Sequence, residues 1–312
     1  MAQTFKAAVV QAASSPYDSQ ASARKAADLV RTAAAGGARL IVFPEAFLGG
    51  YPKGASFGTP VGMRRPQGRE DFRAYHEAAI DLDGPEVELL AEATRDTGTF
   101  VVIGVIERDG GTVYCTALFL DGEKGLVAKH RKLMPTGAER LIWGFGDGST
   151  MPVIDTSLGR IGAVICWENY MPMMRMAMYD QGVTLYCAPT ADDRDGWASS
   201  MQHIALEGRC FVLSACQHIT RAAYPQDYDC ALGDDPDTVL LRGGSMIVAP
   251  LGAVLAGPDY SGETILYADI DTDEVIRGKY DFDVAGHYAR PDIFSLSVNV
   301  APQRAVKREG AE

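Results

Sequence analysis

The stretch GRIGAVICWEN (159–169) is followed, after Tyr170, by MPMMRMAMYDQG (171–182) and then by VTLYCAPT (183–190). The first and third segments are short apolar runs, which are typical of buried strands, and the middle segment has the composition and spacing of a helix. Strand, helix and strand in this order predict an α/β fold with helices outside the sheet layers. Cys166 is expected to end the first strand, directly before the polar turn Trp167-Glu168-Asn169.

The same order of elements occurs in the first half of the chain. Further apolar runs predict strands over 6–13, 39–47, 99–108, 113–121, 210–217, 244–250 and 264–271. Helical spacing and terminal glycines predict helices over 19–37, 84–98 and 196–209. Residues 221–242 are expected to form one long loop. Because no linker or repeat divides the chain, we expect one domain over 1–300 and a frayed tail over 301–312.

Composition excludes several classes of protein. The 312 residues are 47% hydrophobic and 22% charged, as in globular proteins, and no run approaches the length of a membrane span. The net charge of −12 argues against nucleic-acid binding, which needs basic surface. The six cysteines form no CxxC pair, so we expect buried free thiols and a cytoplasmic location. Asp192, Asp193 and Asp195 lack a calcium-loop spacing and are expected to form a solvated acidic loop, so no metal site is predicted.

Three reactive side chains lie at or near the predicted strand ends. Glu45 follows the apolar residues 41–44, so burial should raise the pKa of its carboxyl, unless it only forms a structural ion pair. In VAKHRKLMPT (127–136), an extended backbone would place Lys132 on the same face as His130. Cys166 precedes a helix, whose dipole favours thiolate, although most cysteines of this kind are only core residues.

Taken together, FPEAF (43–47), HRKLMPT (130–136) and GAVICWEN (162–169) resemble the carbon–nitrogen hydrolase (nitrilase) superfamily. The Cys-Trp-Glu-Asn form resembles its nitrilase branch. The similarity runs from about residue 5 to residue 297 and includes YPKG (51–54), APTAD (188–192) and GHYARPD (286–292). One departure is Cys216 in SACQ (214–217), where we expect Asn or a similar residue.

The resemblance implies a four-layer αββα sandwich and hydrolysis of small organic nitriles to a carboxylic acid and ammonia. It implies Cys166 as nucleophile, Glu45 as general base and Lys132 as the cation beside the tetrahedral intermediate. It places a second glutamate, Glu139, near the site. Substrate contacts are expected from Tyr51, Trp167 and Pro189.

This chemistry requires no metal or redox cofactor, so none is expected. The resemblance further implies a homodimer or larger homo-oligomer, with a spiral as one form, through the Met-rich run 171–178. An amidase or carbamoylase on the same fold and triad is the alternative within the enzyme class. A non-catalytic scaffold would not need Glu45, Lys132 and Cys166 together.

Overall fold

A computed structural model of the protein describes residues 4–306. In chain order the strands are β1 (Thr4–Gln11), β2 (Ala38–Val42), β3 (Phe100–Asp109), β4 (Thr112–Asp121), β5 (Gly125–Arg131), β6 (Val153–Thr156), β7 (Gly159–Ala163), β8 (Leu185–Thr190), β9 (Phe211–Cys216), β10 (His218–Thr220), β11 (Val239–Arg242), β12 (Ser245–Val248), β13 (Val254–Asp259) and β14 (Thr264–Asp271). The α-helices are α1 (Ser19–Ala35), α2 (Pro66–Glu77), α3 (Pro85–Thr97), α4 (Pro172–Asp180), α5 (Asp195–Gly208) and α6 (Asp273–Lys279).

Twelve of the strands form two six-stranded sheets, in the orders β14-β1-β2-β3-β4-β5 and β13-β12-β9-β8-β7-β6. The middle strands of each sheet run parallel: β1, β2 and β3 in one, and β7, β8 and β9 in the other. Antiparallel strands flank them on both sides. The predicted order of strand, helix and strand thus occurs twice in each sheet, as β1-α1-β2 and β2-α2-α3-β3 in the first and as β7-α4-β8 and β8-α5-β9 in the second.

Period-two alternation along the strands builds the layers. In β1, Ala7 and Val9 pack into the core between the two sheets, whereas Ala8 and Val10 pack against the helices outside. The outer helices are α1 and α3 on the first sheet and α4 and α5 on the second. Strands buried on both faces account for the continuous apolar runs in the sequence. The predicted four-layer αββα sandwich is confirmed.

Several predicted elements differ at their ends, and others were not predicted. The strand predicted over 159–169 ends at Ala163, and a 3-10 turn begins at Cys166. Helix α2 was missed because only Gly68 and Tyr75 are buried along its length, so it has no apolar stripe. The long loop predicted over 221–242 contains strand β11.

The edge strands β5, β6 and β13 were also missed. Apart from His130 in β5, their residues are half-buried or exposed, so their sequences lack a long continuous apolar run. In the predicted tail, the backbone N–H of Gln303 donates to Asp147 Oδ2 at 2.7 Å. Residues 307–312 lie outside the described residues, and the single-domain prediction stays a prediction. No helix within residues 4–306 has the length and apolarity to cross a membrane.

A close backbone approach in the first sheet fixes the segment after β2. The Gly104 N–H donates to the Pro44 carbonyl at 3.1 Å, and the Gly104 carbonyl accepts from the Phe47 N–H at 2.7 Å. A Cβ atom on Gly104 would lie 2.4 Å from Pro44 O and 2.6 Å from Glu45 Cα. Strand β3 therefore supports Glu45 through a position that only glycine fits.

Gly104→Ala should destabilise the protein by about 3 kcal/mol, the upper end of what overpacking costs, because the methyl group would meet backbone atoms. The backbone around Glu45 must shift to relieve the contact, so the folded variant should also lose turnover. Urea unfolding gives the free energy of unfolding. The matched control is Gly196→Ala in α5, where a Cβ meets nothing within 4 Å. Equal stability of the two variants would contradict the prediction.

Candidate active site

The site lies where strands of both sheets end. Glu45 follows β2, Lys132 follows β5, Cys166 follows β7 after two residues, and Thr190 is the last residue of β8. Each strand is held by its sheet, so these side chains stand on rigid supports. Three of the four were predicted as site residues from the sequence.

Lys132 is completely buried and ion-paired twice. Its Nζ donates to Glu45 Oε1 at 2.7 Å and to Glu139 Oε2 at 2.8 Å. Burial alone would lower the pKa of Lys132, but the charge of Glu45 and the neighbouring groups raise it well above the ordinary value. These groups therefore favour the charged form of Lys132. His130, two residues earlier in the chain, is also buried.

Glu45 has the environment of a proton acceptor. Burial raises the pKa of its carboxyl, Lys132 opposes this and Glu139 adds to it, so the net shift is upward, as predicted. Its Oε2 atom is buried and has no hydrogen-bond partner within the described residues. The carboxyl thus has one oxygen fixed by Lys132 and one oxygen free to take a proton.

Glu139 is held in place by three donors. Its Oε2 accepts the Thr136 N–H at 2.6 Å in addition to Lys132, and its Oε1 accepts the Tyr51 hydroxyl at 2.7 Å. This carboxylate holds Lys132 through a second ion pair, in addition to the one with Glu45. Tyr51, predicted as a substrate contact, donates its hydroxyl to Glu139, and its ring packs on Trp143 with the centroids 5.8 Å apart.

Cys166 lies in a strained turn. Its φ of +50° is in the left-handed region, which a residue with a Cβ rarely adopts. Asn169 Nδ2 bridges the turn by donating to Val164 O at 2.9 Å and to Cys166 O at 2.7 Å. The thiol lies close enough to Glu45, Lys132 and Glu139 for their charges to affect its pKa.

The electrostatics of the thiol differ from the sequence expectation. Burial and the charge of Glu45 raise the pKa of Cys166, and the charge of Lys132 only partly opposes them. The helix dipole was expected to favour thiolate. Helix α4 begins six residues after Cys166, beyond the 3-10 turn, so its dipole is too far away to offset the effect of burial on the thiol pKa. The site thus favours the neutral thiol of Cys166, the candidate nucleophile.

A second buried pair joins the Lys132 segment to the Cys166 turn. His130 Nε2 lies 3.0 Å from Glu168 Oε2, and His130 Nδ1 lies 2.6 Å from the Thr150 carbonyl. Both ring nitrogens face acceptors, so both carry protons. Burial lowers the pKa of His130, but Glu168 outweighs it and the net shift is upward. Glu168 also accepts the N–H groups of Leu133 at 2.6 Å and Ile165 at 3.0 Å.

Three further contacts were not predicted from the sequence. Thr190 Oγ1 donates to Cys166 Sγ at 3.3 Å, and Cys115 Sγ donates to Glu45 Oε1 at 3.4 Å. Gln217 Nε2 donates to the Glu45 carbonyl at 3.2 Å, so the SACQ segment, with its departure at Cys216, supports the general-base candidate. No local sequence signal identifies these residues, because their partners are distant in the chain.

The remaining substrate-contact candidates lie close to the nucleophile. Trp167 is about 40% exposed, and its Nε1 donates to Asp192 Oδ2 at 2.8 Å. Pro189 is buried within β8. The prediction of a solvated loop is wrong for Asp192, which is buried and paired with Arg194. Burial raises the pKa of Asp192, but hydrogen bonds from Arg194 and Trp167 lower it by more, so the net shift is downward.

All six cysteines are buried and free. Within residues 4–306, no group of three or more His, Cys, Asp or Glu side chains is arranged to hold a metal ion.

Comparison with known proteins identifies the family. The carbon–nitrogen hydrolase family profile matches residues 6–280. A nitrilase from Bradyrhizobium diazoefficiens is 72% identical over 308 residues, which cover 99% of this chain and 96% of that protein. An aliphatic nitrilase from Sinorhizobium fredii is 62% identical over 97% of this chain and 98% of that protein. A bifunctional nitrilase/nitrile hydratase from Nicotiana tabacum is 56% identical over 95% of this chain and 86% of that protein.

Solved structures share the fold at low sequence identity. The NitFhit protein of C. elegans aligns with a TM-score of 0.74 and 21% identity over 97% of this chain and 69% of that chain. Nit3 of Saccharomyces cerevisiae aligns with a TM-score of 0.68 and 22% identity over 92% of this chain and 97% of that chain. By its sequence, its layered fold and its close relatives, the chain belongs to the carbon–nitrogen hydrolase family, in the nitrilase branch.

Proposed function

We propose that this protein hydrolyses organic nitriles to the carboxylic acid and ammonia, through thioimidate and thioester intermediates on Cys166. The observation that carries the proposal is the buried cluster of Glu45, Lys132 and Glu139 acting on the thiol of Cys166. The names of its close relatives point the same way. An amidase or carbamoylase on the same triad is not favoured, since the amidases among the similar structures are only about one-fifth identical to this chain.

The first step is addition of sulfur to the nitrile carbon. A nitrile carbon is a weak electrophile, so it needs a thiolate, yet burial keeps the thiol of Cys166 neutral. Glu45 takes the thiol proton as the C–S bond forms and delivers it to the nitrile nitrogen, which gains negative charge. The raised pKa of Glu45 suits this role, because the carboxyl must both accept and donate near neutral pH.

Water then adds to the thioimidate, and the tetrahedral adduct loses ammonia to leave a thioester. A second water releases the carboxylic acid and returns the thiol. Lys132 supplies a fixed positive charge near the developing negative charge, and its burial strengthens the interaction. Glu139 keeps Lys132 in position through the 2.8 Å bond to Nζ.

We expect the organic group of the substrate to be apolar. Trp167 lies directly after the nucleophile and offers a half-exposed aromatic face, which suits an aliphatic or arylaliphatic group. Tyr51 and Pro189 are the further candidate contacts. The charged groups at the site are paired with one another, so they do not favour a charged substrate.

We also propose a cytoplasmic homodimer or larger homo-oligomer, which can extend to a spiral. The free thiols support a reducing compartment. The Met-rich run divides between core and surface: Met174 and Met178 are buried, whereas Met173 is 60% exposed on α4. Leu206 on neighbouring α5 is also exposed, so the two helices carry apolar surface outward.

The first test concerns the two charged residues beside the thiol. Glu45→Gln and Lys132→Met should each lower turnover of a nitrile by about 10²–10⁴-fold, the usual cost of removing a positioned base or charge. Glu45→Gln should remain folded, since Lys132 keeps its bond to Glu139. Steady-state kinetics and thermal melting measure the two effects separately.

Two reference variants bracket this result. Cys166→Ala should fold and show no turnover, and Lys129→Met should keep near-normal turnover because Lys129 pairs with Glu107, outside the cluster. Near-normal activity of Glu45→Gln or of Lys132→Met would remove that residue from the mechanism.

The second test separates nitrile from amide hydrolysis. For several aliphatic and arylaliphatic groups, kcat/KM is measured on the nitrile and on its matching amide. We expect higher values on the nitriles, with carboxylate as the main product and a minor release of amide. Amides hydrolysed as well as or better than nitriles across the series would support the amidase alternative instead.

The third test concerns assembly. Light scattering at micromolar protein should give a particle mass at least twice the 33.5 kDa of one chain. Met173→Asp on the exposed face of α4 should shift this mass downward, because a charge at an apolar interface is costly. A stable wild-type monomer at that concentration contradicts the proposed oligomer.

A further inference from the structure

Within the described residues, Thr190 is the polar side chain that donates a hydrogen bond to the sulfur of Cys166. Its Oγ1 lies 3.3 Å from Sγ, and the side chain is completely buried at the end of β8. The same Oγ1 accepts the backbone N–H of Asp192 at 2.9 Å. We infer that Thr190 is a further catalytic residue, whose hydroxyl stabilises the thiolate of Cys166 both when sulfur attacks and when it leaves.

The direction of the hydrogen bond follows from the donors available. A hydroxyl has one proton and can accept through its lone pairs. Because the Asp192 N–H already donates to Thr190 Oγ1, the hydroxyl proton is free to point at Sγ. A bond to a charged partner is stronger than one to a neutral partner, so it strengthens as the thiol becomes thiolate.

A closed set of contacts holds the hydroxyl in this orientation. Trp167 Nε1 donates to the Asp192 carboxylate at 2.8 Å, and Arg194 pairs with the same carboxylate. The Asp192 N–H then fixes Thr190, whose hydroxyl reaches back to Cys166, the residue before Trp167. The donor is therefore oriented before substrate binds, which is the condition for effective electrostatic stabilisation.

The charges around the sulfur show why such a donor matters. Glu45 and Glu139 disfavour the thiolate, and Lys132 favours it but is shared by both carboxylates. The Thr190 hydrogen bond lowers the pKa of the thiol against burial. A neutral donor stabilises the sulfur without adding a cation that would weaken the basicity of Glu45.

The hydrogen bond from Thr190 to Sγ should also influence whether the tetrahedral adduct releases ammonia or the amide. This consequence rests on the proposed nitrile hydrolysis. In the tetrahedral adduct, the oxygen lone pair forms C=O as one bond to carbon breaks. If the C–N bond breaks, nitrogen takes the electron pair and a proton from Glu45 and departs as ammonia, leaving the thioester. If the C–S bond breaks, the pair goes to Sγ and the amide departs. Stabilising the thiolate favours amide release.

The first experiment measures alkylation of Cys166 by iodoacetamide at pH 8, with peptide mass mapping to identify the labelled thiol. Thr190→Val keeps the shape and removes the hydroxyl. Loss of one such bond raises the thiol pKa by about one unit, which lowers the thiolate fraction about tenfold. The remaining thiolate is more nucleophilic, so labelling should slow by about three- to fourfold. Thr190→Ser should restore the rate to within about twofold of wild type.

Two further variants complete the set. Thr190→Ala also lacks the hydroxyl and replaces Thr190→Val if the latter does not fold. Thr184→Val is the matched control: it removes a hydroxyl just before the far end of β8, where Thr184 bonds to Arg160, and should label at the wild-type rate. The role of Thr190 would be overturned if Thr190→Val or Thr190→Ala labelled Cys166 at the wild-type rate. It would also be overturned if Thr190→Ser labelled as slowly as Thr190→Val.

The second experiment measures the ratio of amide to acid formed from one nitrile. Thr190→Val should lower this ratio by at least about threefold, since a thiolate that has lost its donor leaves less readily. Thr190→Ser should restore it. General loss of competent enzyme reduces both products together and leaves the ratio unchanged. A ratio unaffected by Thr190→Val, or no amide from wild type, would overturn the effect on product. If wild type does not hydrolyse nitriles, the proposed function fails, while the labelling rates still decide the role of Thr190.

Discussion

The site depends on keeping one ammonium group in the protein interior. Lys132 is buried with no solvent contact, and an unpaired cation there would be strongly unfavourable. Glu45 and Glu139 provide the compensation, at 2.7 and 2.8 Å from Nζ. The same burial raises the pKa of Glu45, Lys132 opposes this shift, and the charge of Glu139 adds to it, so the net shift is upward. Glu139 thus compensates Lys132 and also helps to keep Glu45 basic, and the ion pairs join the segments after β2 and β5.

The second buried ion pair extends the same arrangement to the nucleophile. His130 lies two residues before Lys132, and Glu168 lies two residues after Cys166. An extended strand places residues two apart on one face, so His130 and Lys132 point into the same space between the sheets. The Glu168 carboxylate pairs with His130 and also accepts hydrogen bonds from the N–H groups of Leu133 and Ile165. The Lys132 segment and the Cys166 turn are therefore fixed relative to each other by contacts that lie outside the cluster of Glu45, Lys132 and Glu139.

Much of this arrangement could be predicted from the sequence, and the exceptions have physical causes. Apolar runs mark strands buried on both faces, so helices outside the sheets were predictable, whereas the four-layer order followed from the family resemblance. Half-exposed strands such as β5 have no such run. The position of Glu45 after a buried strand was enough to predict the direction of its pKa shift. The turn at Cys166 depends on a backbone conformation that strand periodicity does not encode. The contact of Gln217 with Glu45 spans 172 residues of chain, and that of Thr190 with Cys166 spans 24. The contact of Gln217 with Glu45 forms only when the two sheets pack, and that of Thr190 with Cys166 forms when β8 pairs with β7 within one sheet.

The arrangement around sulfur reconciles two opposing demands on the same site. A dry environment strengthens the action of Lys132 on developing charge, but it also disfavours a preformed thiolate. A second cation beside the sulfur would restore the thiolate. It would also lower the pKa of Glu45, which lies close enough to influence the thiol electrostatically, and so weaken the base that the neutral thiol requires. A hydroxyl donor avoids this conflict because its effect is short-ranged and confined to the atom it contacts. Thr190, held by the Asp192 N–H and aimed at Sγ, supplies that donor, so acidity of the nucleophile and basicity of Glu45 are set by separate groups.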